Sequence, residues 1–504
     1  MMSKAEEPRT GIALPSTFRG RSSTEFARAV LADAVRSYDA DLAQAIESSR
    51  QWRSQYPGAF RALTALSASS PTCAVGIAGA GLRRANALAR YLAGDGTDTV
   101  LADDAWRAET TTFTSQVVRG SAEPVTELRV PFGDTVLSGA ALRAKLVDWR
   151  NRGIVEPSFV AALERVVDNP KWLALPGHQV VVVGADSEMG PYSMLTQWGA
   201  DVLAVDLPDA ARWNSITARA EAGAGSVTYP FGPAGAGADV RRDFGGLLEW
   251  IYANTSKRKK LVFGMYAYAD GRAHVEVTLA TDLIAADLLA NRSNVTLAYL
   301  ATPTDCYAVK ADVMAEARRR WASRGAKGPL EDVLRFTSRS ALFRPNYLDE
   351  VVDFEGNHWG LADTQIRIQG PNYALAKRLQ RWRGIVTRAS GANVSFNVAP
   401  ASWTESVTKN QFLASAYHGA KRFGVEIFEP QTASALLAAK LVHDVFVPAA
   451  VDAKDNPVEL FYEGAAHGGL WRLPFEPGSA LGLATAVGAL SNRPRFLERR
   501  LRRS

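Results

Sequence analysis

The sequence predicts an α/β protein, a doubly wound parallel sheet preceded by a mainly α-helical N-terminal domain. From Gln179 onward, short β-branched apolar runs alternate with segments of helical periodicity, the pattern that lays helices on both faces of parallel strands. The first of these runs ends in a glycine-bearing turn and the second ends in an acid. Before Leu175, apolar residues recur instead at helical spacing, which carries the helical domain. A chain of 504 residues exceeds one ordinary core, so more than one domain is expected.

Residues 1–22 are polar and rich in Pro, Ser and Arg, and are expected to form a loose arm. Residues 23–175 follow as the helical domain. From Glu25 to Ser49, Phe26, Val30, Ala34 and Val35 share a stripe that Tyr38, Leu42 and Ile46 continue, as in an amphipathic helix. Gly79-Ala-Gly81 precedes an Ala/Leu-rich stretch but lacks the third glycine of a dinucleotide loop, and reads as a structural turn. ALRAKLVDWRNRG and SFVAALERVV are two further helices, parted by residues 154–157.

Residues 176–475 carry the sheet. Its strands are QVVVVG, ADVLAVD, KKLVFGMYAY (259–268), NVTLAYL (294–300) and ANVSFNVAP (392–400), with an insert at about 305–370. Residues 476–504 read as a C-terminal helical segment with a basic tail.

Composition bounds the function. Apolar residues make up 47% and charged residues 22%, as in a globular enzyme rather than a disordered chain. The two cysteines, Cys73 and Cys306, stand far apart, with no Cys or His at metal-ligand spacing; no metal is expected and a reducing cytoplasm fits. His358, His418 and His467 are scattered, and hydrogen bonding in core or surface is their expected use. The start of the chain shows no apolar h-region, and the run from Ser479 to Leu490 is too short to span a bilayer. Much of the net charge of +6 sits in the final RPRFLERRLRRS, so no nucleic-acid partner is expected. That tail is a solvated terminal helix or a peripheral contact for anionic surfaces.

The chemistry-bearing segments begin at Gly184-Ala-Asp-Ser-Glu-Met-Gly190, after the first strand. Glycines permit a tight turn and close approach of a pyrophosphate to N–H groups at a helix N-terminus. Asp206, which closes the second strand, can accept hydrogen bonds from ribose hydroxyls and would repel a 2′-phosphate, favouring NAD over NADP. Tyr373 and Lys377, four residues apart in NYALAKRLQRWRG, share a helix face. An ammonium beside a phenol stabilises its phenolate and moves its pKa of about 10 toward neutrality, which suits proton exchange with a carbonyl oxygen.

The run VGADSEMGPYSMLTQWGADVLAVDL resembles the opening of the short-chain dehydrogenase/reductase family, TGxxxGxG with a helix and a strand ending GAxVxxxD. Gly184 and Gly190 match its outer glycines, while Val183 replaces the threonine and Glu188 the middle glycine. NYALAKRLQRWRGIVTRASGANVSFNVAP resembles the YxxxK helix and the strand after it, and NPVELFYEGAAHGGLW the closing strand and Gly-Gly turn, so the resemblance spans about 180–472. It implies a Rossmann-like fold. Gly184, Ser187, Glu188, Met189 and Gly190 would then meet the pyrophosphate, Asp206 the ribose, Asp239 and Val240 the adenine, and Pro400 and Thr404 the nicotinamide.

The resemblance also implies Tyr373 as acid/base, and Lys377 as its electrostatic partner and a ribose ligand. The family's Asn-Asn-Ala-Gly turn is absent, FGMYAYADG standing in its place. No Ser or Thr precedes Tyr373 at the family's offset; Thr302 or Thr304, ending the fifth strand, is the substitute.

The expected activity is therefore hydride exchange between NAD and a hydroxyl or carbonyl carbon of a small molecule. Phe336, Phe343, Tyr347, Trp359 and Leu361 in the insert suggest an apolar lid and a lipid or acyl substrate. The resemblance implies a homo-oligomer. The alternatives are a catalytically weak NAD-binding scaffold or sensor, and an NAD-retaining epimerase or dehydratase.

Overall fold

The alternation of apolar runs and helices folds into a mixed α/β structure around a mainly parallel sheet of eight strands. It is a computed structural model that describes residues 10–17, 20–103, 105–107, 110–449 and 455–491. The basic tail from residue 492 lies outside the described residues. No described helix is long and apolar enough to cross a membrane.

Six parallel strands, taken in chain order, are His178–Val183, Asp201–Val205, Ser226–Gly232, Lys260–Met265, Val295–Ala301 and Asn393–Val398. In space they run third, second, first, fourth, fifth, sixth, with each neighbouring pair parallel. This order is compatible with a Rossmann-like sheet, whose direction of winding reverses between the first and fourth strands.

Side-chain alternation divides the core in two. Val181, Val183, Leu203, Val205, Phe263 and Tyr299 point to one face, while Val180, Val182, Val202, Ala204, Val262 and Ala298 point to the other. Near-continuous Val/Ala/Leu runs are what a sheet buried on both faces requires.

The first 175 residues do not build a core of their own. Phe26, Val30, Phe60 and Ile77 join the cluster on the first face, whereas Leu142, Trp149, Phe159 and Leu163 join that on the opposite face. Thr114–Arg119 adds an antiparallel strand along the third strand. Part of the expected arm is ordered too: Gly11–Ala13 pairs with Arg90–Leu92, and Ile12 and Leu14 are fully buried. Helical periodicity marks which face of a helix is apolar; it does not say what that face will cover.

Gly79 and Gly81 lie inside the helix Pro71–Leu88 rather than in a turn. A Cβ on Gly81 would come within 2.2 Å of the Trp382 ring on the helix Gly370–Ala389. The glycine thus lets two helices approach around a buried indole, which explains its presence without any nucleotide. Gly81→Leu is expected to lower stability by about 1–3 kcal/mol, the usual range for overpacking, read as a lower urea midpoint at unchanged slope.

The insert forms a three-stranded antiparallel sheet from Cys306–Val309, Glu350–Val352 and His358–Asp363 with the helices Ala311–Ala322 and Gly328–Thr337. Near the C-terminus, the expected closing strand is a 3₁₀ turn, Pro457–Phe461, with a proline in its first turn.

Candidate functional site

The carboxyl ends of the parallel strands gather the candidate residues on one edge of the sheet, where the winding reverses. Gly184 follows the first strand with φ +89°, and a Cβ there would lie 2.4 Å from the Ala267 nitrogen at the end of the fourth strand. Only glycine meets both demands. The loop closes on itself: Ser187 N–H donates to Gly184 O and Gly190 N–H to Ser187 O, each at 3.1 Å. The Ser434 hydroxyl ties Gly190 O to the helix Pro430–Phe446. Glu188 and Met189 N–H make no such turn bond among the described residues, and Met189 packs on the core.

Asp206 stands where the sequence places it, buried at the end of the second strand. It accepts from Asp186 N–H and Leu207 N–H, each at 2.8 Å, and pairs with Arg212 at 3.0 Å. Burial pushes its pKa above the ordinary carboxylate value, against these donors. The oxygen that meets Asp186 N–H accepts one hydrogen bond and keeps capacity for a hydroxyl. Ala238 N–H bonds Asp206 O, which brings Asp239 and Val240 beside it. Asp239 is already engaged, capping the helix Val240–Asn254 and pairing with Arg241, and Val240 is buried.

After the sixth strand, Thr404 holds the N-cap position of the short helix Glu405–Lys409 without a side-chain capping bond, beyond the buried Pro400. Glu188 accepts from Glu405 N–H at 3.0 Å, so the residue in place of the family's middle glycine joins the first loop to the one after the sixth strand. The glycine turn, the second-strand acid and the loop after the sixth strand stand together at the winding reversal, where they would hold a dinucleotide.

Tyr373, Lys377, Thr302 and Thr304 line one narrow recess, together with Tyr56, Asp305, Gln365, Ile366 and Gln369. The Thr302 and Thr304 hydroxyls are 2.6 Å apart, and Thr304 donates to Gln369 Oε1 at 2.9 Å. Burial raises the pKa of the Tyr373 phenol, and a hydrogen bond shared with Thr302 opposes the rise. The Lys377 ammonium lies 5.8 Å from the Tyr373 ring centre and bonds Leu300 O at 3.0 Å and Gln380 Oε1 at 3.2 Å. Burial lowers its pKa to about 8. The expected shift of the phenol toward neutrality is therefore not met in this arrangement, because burial outweighs an ammonium turned to a backbone carbonyl.

His274 escaped the sequence reading. Its ring stacks on Tyr373 at 9° with centroids 5.5 Å apart, and Tyr268 touches both rings. Nδ1 accepts Ala269 N–H, and buried Nε2 has no partner among the described residues. Burial, then the Lys377 charge, pulls its pKa down to about 3, so the imidazole is neutral. It sits in an apolar helical run, AHVEVTLATDL, with no motif around it to signal a site.

The apolar lid is not formed. Phe343, Tyr347, Trp359 and Leu361 are buried in their own packing, Phe336 is 85% exposed, and none lines the recess. The insert presents Gln365, Ile366 and Gln369 instead, because its aromatics are needed to hold its small sheet against the main core.

No protein-family model matches the chain, and no curated protein matches it.

Proposed function

We propose that the protein is a nicotinamide-dependent oxidoreductase of the short-chain dehydrogenase/reductase kind that interconverts a hydroxyl and a carbonyl group. One observation carries the reading: the Tyr373–Lys377 pair and Thr302, some seventy residues earlier, line a single recess on the sheet edge that bears Gly184 and Asp206. A nicotinamide bound there would supply or accept the hydride. Tyr373 exchanges a proton with the substrate oxygen, Thr302 holds that oxygen through its hydroxyl, and Lys377 favours the phenolate once drawn from Leu300 O. Neutral His274 fixes the plane of the phenol without adding charge.

The competing reading, a catalytically weak NAD-binding scaffold, is favoured by one feature, the Lys377 ammonium directed away to Leu300 O and Gln380. Titration of the purified protein with NADH and NADPH, followed by calorimetry, is the first test of the cofactor. NADH is expected to bind more tightly. Asp206→Ala should weaken NADH roughly tenfold and NADPH less, since it removes charge-assisted ribose contacts and frees Arg212 for a 2′-phosphate. Equal losses would reject the ribose assignment.

A further inference from the structure

Beside the recess, the N-terminal helices and Arg367 border an open cleft of about 1320 Å³ with arginines on several sides. Arg21, Arg28, Arg50, Arg53 and Arg367 line it, against one acid, Glu25. Arg21 is paired with Asp98, and Arg28 donates Nε–H to Ile46 O with no carboxylate partner among the described residues. Arg50, Arg53 and Arg367 are exposed and have no ion-pair partner among the described residues. Helix Trp52–Ala68 begins in this cleft; its N-cap Gln51 makes no side-chain capping bond, and while Ser54 N–H is taken by Gln51 O, Trp52 and Arg53 N–H have no partner among the described residues. Guanidinium groups gathered in one concavity raise the local positive potential, and their forked donors match phosphate oxygens.

The cleft and the recess share walls. On helix Trp52–Ala68, Trp52 lines the cleft and Tyr56, one turn on, lines the recess. In the segment 365–369, Gln365, Ile366 and Gln369 face the recess while Arg367 faces the cleft. Arg53 and Arg367 both act electrostatically on Tyr56. An anion held among the arginines would therefore sit within about one helical turn of the recess wall at Tyr56.

We propose that this cleft binds the phosphate-bearing handle of an extended substrate whose reacting carbon reaches the Tyr373 recess. The site would bind the handle, and hence rests on the oxidoreductase reading only for what the other end does. It also replaces the lipid-like substrate suggested by the insert with an anionic one.

The test is calorimetric titration with inorganic pyrophosphate and with coenzyme A, a phosphate-bearing carrier of acyl groups, on wild type and on Arg50→Ala/Arg53→Ala. Both positions are exposed, so the variant should fold, and matching urea midpoints check this. Wild type is expected to bind both probes, coenzyme A more tightly, and the variant to lose tenfold or more, with weaker binding of either at high salt. Equal affinity of the two proteins, or no binding at low salt, overturns the proposal. Coenzyme A binding no tighter than pyrophosphate would leave a free phosphate site and overturn the extended handle. NADH titration of the same samples separates the two readings. Arginine-dependent probe binding without NADH binding keeps the cleft and rejects the oxidoreductase; NADH binding unaltered by the double substitution, without probe binding, does the reverse.

Discussion

Tyr373→Phe is expected to abolish most turnover while leaving the fold and NADH affinity close to wild type. Removing one oxygen from a phenol whose ring stays stacked on His274 preserves packing but deletes the proton donor and the Thr302 hydrogen bond. General acid–base groups contribute about 10²- to 10⁴-fold, so kcat with an alcohol or ketone found by screening should fall by that order. NADH affinity should change less than about threefold, because the substituted atom faces the recess that would receive substrate. Thr302→Val is the graded companion, expected to lose less than Tyr373→Phe because it orients rather than transfers the proton. Unchanged kcat in Tyr373→Phe would remove the phenol from the mechanism and leave the scaffold reading standing.

The candidate residues could be picked out where their chemistry is local in sequence. The first glycine turn, Asp206 at the end of the next strand and the Tyr373–Lys377 pair each lie within a few residues of a periodicity change, and the structure sets them on one edge. Thr302 and Thr304 were reachable from the strand end alone. His274 was not, since nothing in a buried helical run reveals which ring its histidine will meet. The arginine cleft was hidden for a related reason: Arg28, the neighbouring Arg50 and Arg53, and Arg367 come from three separate segments, and the sequence pointed to the charge concentrated in the tail. The glycines of Pro71–Leu88 misled because glycine serves turns and close helix contacts alike, and only the opposing Trp382 separates the two uses. Lid aromatics misled similarly, as an apolar insert must first bury its own side chains before it can cover a ligand.

The largest stability effect is expected at Glu156, which is fully buried. It accepts from His467 Nε2 at 2.9 Å and from Arg472 through both oxygens, at 2.9 and 2.6 Å. Gly469 N–H donates to His467 Nδ1, so the proton on Nε2 faces the carboxylate and the imidazole is neutral. Burial likewise lowers the His467 pKa. The charged pair is thus Glu156 and Arg472, with Arg472 also reaching Asp312 on the insert at 2.7 Å. This one carboxylate ties the turn between two helices to the C-terminal segment and, through Arg472, to the insert.

Deleting one partner of a buried pair strands the other, and Glu156→Ala should cost about 3–5 kcal/mol in urea unfolding at pH 7. The pH dependence carries a sign of its own. Burial alone would raise the Glu156 pKa, but His467 and Arg472 outweigh it and depress the value to about 2 from 4.5. A depressed carboxylate contributes stability above its unfolded pKa, because the unfolded chain binds the proton more readily. That contribution is complete above the unfolded value and is lost as pH falls from about 4.5 through about 2. Glu156→Gln should therefore be less stable at pH 7 and show a shallower loss over this acid window than wild type. An unchanged acid slope would mean that another carboxylate carries the window; unchanged stability at pH 7 would mean that Arg472 finds its compensation in Asp312 alone.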